Sequence, residues 1–233
     1  MTGLVLTTTR GGVTELRLNR PDRRNALTSG LLRELRGQLT LIGDDPDVRV
    51  VILTGEGEAF CAGADLAEIP PDAPARLGLA RLRLVAEVLR RLRELEQPTL
   101  AAVNGPAVGA GWGLALACDL CFAAAGASFR LPEVPKGFRL PEPLAGRLVE
   151  VAGPVRAAEI MFGGQAYQAA DALAAGWVTR VLPGEPELAA EAWRFASGLA
   201  SAPRRAVAAA KQALRPGPGG GPFPPAQLGW TDE

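Results

Sequence analysis

The sequence predicts an α/β protein built on a mostly parallel sheet and completed by a helical segment. Short apolar runs of strand length alternate with longer stretches of helical periodicity, which is typical of βαβ units. Hydrophobic residues make up 48% of the 233 residues, enough to bury the core of one large domain. We expect a core domain over residues 1–185, a helical region over 186–215, and a Gly/Pro-rich disordered tail over 216–233.

Each predicted element rests on its apolar period and on the residues that bound it. Two N-terminal strands are joined by Arg10-Gly11-Gly12, which predicts a hairpin. The clearest helix ends just before Pro98, a residue that cannot continue it. The predicted strands are 4–8, 13–19, 48–54, 100–103, 119–123 and 177–182, and the predicted helices are 28–42, 74–96, 109–117, 142–151, 154–162, 168–175, 186–200 and 203–214.

Composition excludes several classes of function. The chain has no histidine, so the usual Ser-His-Asp and Cys-His mechanisms and histidine-bound zinc are excluded. Acid–base catalysis must then use carboxylates, Lys, Cys or Tyr167. Basic and acidic residues number 25 each, which gives no reason to expect a nucleic acid partner. Three cysteines and no membrane-length apolar run predict a cytoplasmic protein without a membrane partner.

Two glycine-rich segments carry the strongest functional signal. Residues 54–66 and 103–114 each follow a predicted strand and lead into a helix. Glycine allows the backbone to approach a ligand closely, and a helix N-terminus offers free N–H donors. Two such loops can converge on one oxygen, which suits the negative charge that develops on a thioester enolate. Taken singly, either loop is equally well explained as a packing turn.

The order of the motifs resembles the crotonase (enoyl-CoA hydratase/isomerase) family. Residues 60–66 read Phe-Cys-Ala-Gly-Ala-Asp-Leu, and residues 101–111 read Ala-Ala-Val-Asn-Gly-Pro-Ala-Val-Gly-Ala-Gly. Further similar segments are Asn19-Arg20-Pro21, Asn25-Ala26-Leu27, Ala117-Cys118-Asp119-Leu120, Leu131-Pro132-Glu133, Ala169-Ala170-Asp171-Ala172 and Ala175-Gly176-Trp177-Val178. The resemblance spans about residues 4–214 and implies a crotonase-like ββα spiral core (the ClpP/crotonase fold) with a helical C-terminal part.

The resemblance also implies roles for individual residues. The N–H groups of Ala62 and Ala110 would hold the thioester carbonyl oxygen, and Glu133 would be the catalytic carboxylate. Coenzyme A would enter as part of an acyl-CoA substrate, with no separate cofactor and no metal. The residues expected to bind substrate are Arg24, Ala26, Gly63, Ala64, Asp65 and Gly109.

One departure from the family pattern bears on which reaction is expected. Hydratases of this family use two glutamates, and the position of the first is Gly113 here. A single carboxylate suffices to move a double bond, so the sequence favours a Δ3-Δ2 enoyl-CoA isomerase. Two alternatives stay open: a hydratase or related lyase that uses another acid such as Glu142, and a catalytically degenerate member that serves as a partner or scaffold subunit.

Two further departures bear on the substrate and on assembly. Bulky residues in the segment 135–143 are expected to reshape the acyl pocket. The family usually continues with more helix than this chain has, which predicts weaker CoA binding or an acyl group that is carried on a protein. The resemblance predicts a homotrimer or homohexamer.

Basic and thiol groups elsewhere receive structural interpretations. Six arginines of the long helix are expected to form a solvated face: Arg76, Arg81, Arg83, Arg90, Arg91 and Arg93. Cys118 and Cys121 have the spacing of a redox pair, but on a buried strand they are expected to be packed thiols.

Overall fold

The computed structural model describes residues 3–68 and 75–214. The strands are β1 (Val5–Arg10), β2 (Val13–Leu18), β3 (Val50–Gly55), β4 (Thr99–Val103), β5 (Ala107–Val108), β6 (Leu120–Ala124), β7 (Ser128–Arg130), β8 (Ala166–Gln168) and β9 (Arg180–Leu182). The helices are α1 (Ser29–Asp44), α2 (Ala75–Glu94), α3 (Ala110–Ala117), α4 (Glu142–Gly163), α5 (Ala169–Ala174), α6 (Glu185–Ala200) and α7 (Arg204–Ala213). Short 3-10 turns occupy Pro21–Arg23 and Leu66–Glu68.

The main sheet has the order β1-β2-β3-β4-β6-β9. Its first pair is the predicted antiparallel hairpin, and the other pairs are parallel. The α/β class with a parallel sheet is therefore confirmed. Because β3 and β4 are parallel neighbours, their carboxyl ends meet at one edge of the sheet. The two glycine-rich loops start from those ends and so lie side by side.

A second, small sheet has the order β5-β7-β8. The sequence analysis did not predict it, because strands of two or three residues are too short to show a period. Ala107 and Val108 of β5 pair with Phe129 and Arg130 of β7. This pairing joins the second glycine-rich loop to the segment that leads into Glu133.

The main sheet is covered on both faces. One apolar cluster joins the sheet to α1, α2, α3 and α4, and a second cluster joins it to α6. Thr28 caps α1, its Oγ1 accepting from the N–H of Leu31 at 3.1 Å. The two helices predicted at 142–151 and 154–162 are confirmed as the two parts of α4, which are separated by a kink at Gly153 (φ 72°) and Pro154. The strand predicted at 177–182 begins only at Arg180.

The C-terminal helices pack directly against the sheet. Leu188, Ala192 and Ala196 of α6 are buried in the second cluster. Lys211 of α7 is 5% exposed and pairs with Asp119 at 2.7 Å. The predicted tail at 216–233 lies outside the described residues. Among the described helices, none combines the length and apolarity needed to cross a membrane.

The Lys211–Asp119 pair predicts a large stability effect. Lys211→Met removes the cation beside Asp119, whose side chain is 24% exposed and keeps its hydrogen bonds from Thr99, so we expect about 2 kcal/mol lower free energy of unfolding in urea. The matched control is Arg156→Met, which removes an exposed pair with Glu159 and should change stability by about 0.5 kcal/mol or less. Equal effects of the two substitutions would show that the buried pair contributes no more than a surface pair.

Candidate active site

A cavity of about 540 Å³ opens at the carboxyl edge of the main sheet. Three parts of the chain wall it: the glycine-rich loops, the segment that follows β7, and one face of α2. The lining consists of Ala62, Gly63, Ala64, Leu66, Gly78, Leu79, Arg81, Leu82, Val85, Val108, Gly109, Ala110, Pro132, Glu133, Lys136, Gly137, Phe138, Arg139 and Pro141. The sequence analysis found the loops and Glu133. The contribution of α2 to the cavity wall was not predicted, because the apolar stripe of this helix is equally typical of a helix that packs on the core.

Backbone hydrogen bonds fix the two loops against each other. The N–H of Cys61 donates to the carbonyl of Pro106 at 3.1 Å, and the N–H of Val108 donates to the carbonyl of Cys61 at 2.9 Å. Gly63 has φ +84°, and a Cβ there would lie 2.5 Å from the carbonyl oxygen of Val108. Only glycine permits both this torsion and this approach. The packing sets the first loop beside the start of α3.

In the first loop, the N–H group of Ala62 that was predicted as a donor is not free. Ala62 lines the cavity, but its N–H already donates to the carbonyl of Arg24 at 2.8 Å. Ala64 differs, because it forms an isolated parallel bridge with Leu27, whose carbonyl accepts from the N–H of Asp65. In such a bridge the N–H of Ala64 points away from Leu27. Within residues 3–68 and 75–214 it has no hydrogen-bond acceptor. Ala64, rather than Ala62, therefore offers the free N–H on the cavity wall.

The second loop presents the N–H of Ala110, as predicted. Ala110 is the first residue of α3, and Gly109 (φ 57°, ψ −127°) precedes it. The N–H of Gly109 donates to the carbonyl of Arg130 at 2.8 Å. For Ala110 N–H, by contrast, the described part of the chain supplies no acceptor. The first N–H groups of a helix carry partial positive charge and lack partners within the helix. A Cβ built on Gly63 would lie 3.7 Å from this nitrogen, so the two loops present their donors close together.

Glu133 lies against the second loop. A Cβ built on Gly109 would be 2.3 Å from Oε1 of Glu133, so the glycine makes room for the carboxylate. The turn after Glu133 holds its backbone: the N–H groups of Lys136 and Phe138 donate to its carbonyl at 3.1 and 2.8 Å. The carboxylate is therefore held beside the N–H of Ala110, on the wall of the same cavity.

Burial perturbs the acidity of Glu133. Desolvation raises the pKa of this carboxyl above its ordinary value, although its own N–H and the nearby Lys136 charge partly oppose the shift. Its Oε2 is buried and has no hydrogen-bond partner in the described structure. A carboxylate with a free oxygen and a raised pKa is suited to accept a proton from carbon.

Gly113 faces packed side chains. A Cβ at this position would lie 2.7 Å from Cδ1 of Leu144 and 3.4 Å from Cδ1 of Leu89. The site that the resemblance assigns to a second glutamate is therefore filled by leucines from α4 and α2. Among the described lining residues, Glu133 is the one carboxylate.

Three residues expected to bind substrate do not line the cavity. Arg24 is exposed, and its carbonyl holds Ala62. The carbonyl of Ala26 accepts from Nη1 of Arg20 at 2.5 Å. Asp65 pairs with that same Arg20 nitrogen at 2.9 Å. These contacts hold the first loop in place without lining the cavity. Gly63, Ala64 and Gly109 do line the cavity.

The structure also shows the surroundings of the three cysteine thiols and of Arg81 in α2. Cys61, Cys118 and Cys121 are free and buried, so the last two are packed thiols as expected; burial raises the pKa of Cys61 to about 12. Arg81 departs from the expected solvated face. It is buried, pairs with Glu68 at 2.6 Å and donates to the carbonyl of Leu27, which ties α2 to the first loop.

This architecture and this cavity define an α/β protein with two free backbone N–H groups and one partly buried carboxylate on the wall of the same cavity. The family model for enoyl-CoA hydratase/isomerase matches residues 8–217. The chain therefore belongs to the enoyl-CoA hydratase/isomerase family, the crotonase family, whose members act on acyl-CoA substrates.

Relatives of both catalytic types are similar to this chain. The 2,3-dehydroadipyl-CoA hydratase of Escherichia coli (strain K12) is 40% identical over 204 residues, covering 86% of this chain and 77% of the relative. The crystal structure of an enoyl-CoA hydratase from Bacillus anthracis matches with a TM-score of 0.86 at 35% identity, over 91% of this chain and 82% of that one. A monofunctional enoyl-CoA isomerase from M. smegmatis matches with a TM-score of 0.78 at 33% identity, over 91% and 92%.

Proposed function

We propose that the protein is a Δ3-Δ2 enoyl-CoA isomerase with Glu133 as its acid–base group. The observation that carries this proposal is the packing around Gly113. Leu144 and Leu89 occupy the space where a second carboxylate would stand, so Glu133 has no carboxylate partner among the described lining residues. Two carboxylates suit the handling of a water molecule, whereas one suffices to carry a proton between two carbons.

The proposed reaction uses the cavity in two proton transfers. The N–H groups of Ala64 and Ala110 donate to the thioester oxygen and stabilise the charge that develops on it. Glu133 takes the proton from C2 of a 3-enoyl thioester, and the electron pair of that bond enters a dienolate. The same carboxyl then returns the proton at C4, so the double bond moves into conjugation without loss or gain of atoms.

A hydratase is the second candidate, and the names of several relatives favour it. It needs another acid, for which Glu142 was the sequence candidate. Glu142 is an exposed residue at the first turn of α4 and does not line the cavity. Hydration would therefore have to proceed with Glu133 alone.

The deciding experiment compares two substrates with the purified protein. A trans-3-hexenoyl-CoA solution should gain absorbance from the conjugated 2-enoyl product, while crotonyl-CoA should lose little of its absorbance to hydration. Proton exchange at C2 of hexanoyl-CoA, followed by NMR in D₂O, serves as the third arm. Faster hydration than isomerisation would overturn the isomerase proposal. Absence of all three activities would favour the degenerate-subunit alternative.

The raised pKa of Glu133 predicts the pH dependence of isomerisation. The base acts in its ionised form, which is lost as the pH falls through its pKa. Because burial raises that pKa, kcat/KM should begin to fall at a higher pH than an ordinary glutamate would give. The measurement is a pH profile of kcat/KM on the 3-enoyl substrate. A rate that stays constant down to the ordinary glutamate range would contradict the prediction.

We also propose that the protein assembles as a homotrimer or homohexamer and is cytoplasmic. Support for assembly comes from the outer surface of α4, where Val155 is 84% exposed and Phe162 is 68% exposed. Exposed apolar side chains of this size commonly mark contacts between subunits. Analytical ultracentrifugation of the full chain tests the prediction, and a monomer at micromolar concentration would contradict it.

A further inference from the structure

Two exposed cations, Lys136 and Arg139, line the cavity, and the charge of Lys136 acts on Glu133. Neither forms an ion pair or a side-chain hydrogen bond within the described ranges. Arg81, the third cation of the lining, is different because Glu68 pairs with it at 2.6 Å. Against these positive charges the described lining offers one carboxylate, Glu133. The acyl cavity thus carries an excess of positive charge.

The rest of the wall is apolar. Leu79, Leu82 and Val85 of α2 face the cavity together with Phe138. Such a wall suits the methylene groups of an acyl chain. A neutral chain gains nothing from the two exposed cations on this wall, whereas an anionic group gains a charge-assisted contact with them.

The position of the cations identifies which part of the substrate they meet. The N–H of Lys136 is 3.1 Å from the carbonyl oxygen of Glu133, and Arg139 directly follows Phe138, whose N–H donates to that same oxygen. Both cations therefore belong to the turn that holds the proposed base, close to the reacting carbons. The pantetheine arm of CoA carries its phosphates well away from the thioester, so an anion on the acyl chain fits this position better.

We propose that the cavity accepts acyl chains that end in a carboxylate, which Lys136 and Arg139 bind. This inference rests on the proposed function in one respect only: the thioester is assumed to lie between Ala64 and Ala110. It makes Lys136 and Arg139 determinants of specificity, and it names ω-carboxyacyl-CoA thioesters as the substrate class.

Saturated ligands test the inference without any catalysis. Calorimetry compares adipyl-CoA with its ω-methyl ester, which has nearly the same chain but no charge. The wild-type protein should bind adipyl-CoA about tenfold more tightly than the ester, the effect expected of two partly exposed ion pairs. In the double variant Lys136→Gln/Arg139→Gln the ratio should fall towards one. The matched control is Arg90→Gln, which removes an exposed cation of α2 outside the cavity and should leave the ratio unchanged.

Two outcomes would overturn the inference. A ratio near one in the wild type would show that the cavity does not distinguish the carboxylate. An unchanged ratio in the double variant, with both ligands weakened equally, would assign the cations to the phosphates of CoA. A preference for adipyl-CoA in a protein that fails the isomerase assay would uphold this inference and reject the proposed function, so the two failures are distinguishable.

Discussion

Glu133→Gln is expected to lower kcat for isomerisation of a 3-enoyl-CoA by about 10²–10⁴-fold. Glutamine has the shape of the carboxyl but cannot accept and return a proton. The carboxylate is pressed against Gly109 and has an unpartnered buried oxygen, so the substitution removes a desolvated charge and should not destabilise the fold. Steady-state kinetics and the melting temperature are measured together.

The control for this substitution is Glu142→Gln. Glu142 lies outside the described cavity lining, at the first turn of α4, so its removal should leave isomerisation within about a factor of two of the wild-type rate. Retention of full activity in Glu133→Gln would reject the role proposed for Glu133. Loss of activity in Glu142→Gln instead would restore the alternative in which Glu142 supplies the acid.

Ala110→Pro is expected to lower kcat by about 10²–10³-fold, the usual effect of losing one donor to a developing oxyanion. Ala110 is the first residue of α3, a position where proline fits the helix and removes only an N–H that the helix does not use. The described structure gives that N–H no acceptor. The effect should therefore appear in kcat much more than in the free energy of unfolding.

Ala110→Gly is the matched control, because it alters the side chain and keeps the N–H. We expect near wild-type kcat in this variant and a modest loss of stability, about 1 kcal/mol or less. If proline and glycine at this position lowered kcat equally, the effect would come from the side chain, and the N–H would have no catalytic role. A large fall in melting temperature for Ala110→Pro would instead indicate a damaged loop.

Features of the chain that depend on local sequence were predictable, and features that depend on tertiary contacts were not. The strands of the main sheet and the glycine-rich loops were predictable, because apolar periods and glycines act within a few residues. The small sheet was not, since β5 has two residues and β7 and β8 have three. The break within α4 was predictable as well, because Gly153 and Pro154 normally end a helix.

The ion-pair partner of Arg81 was equally impossible to predict from local sequence. Within α2 it is one arginine of several, and helical position alone gives it no partner. In the fold it is buried, pairs with Glu68 and donates to the carbonyl of Leu27. Only the approach of α2 to the first loop decides this, because burial of an arginine depends on partners distant in sequence.

Motif order predicted the family, the two converging loops and Glu133 as the carboxylate of the site. Local periodicity predicted the parallel sheet. The tertiary structure alone decided which N–H groups are free and what surrounds Gly113. The sequence assigned the donor of the first loop to Ala62, but the N–H of Ala62 donates to the carbonyl of Arg24 and that of Ala64 is free in the described structure. Gly113 marks a missing glutamate, and Leu144 fills the space. Both the free N–H of Ala64 and the packing around Gly113 result from hydrogen bonds and contacts between segments that are distant in sequence.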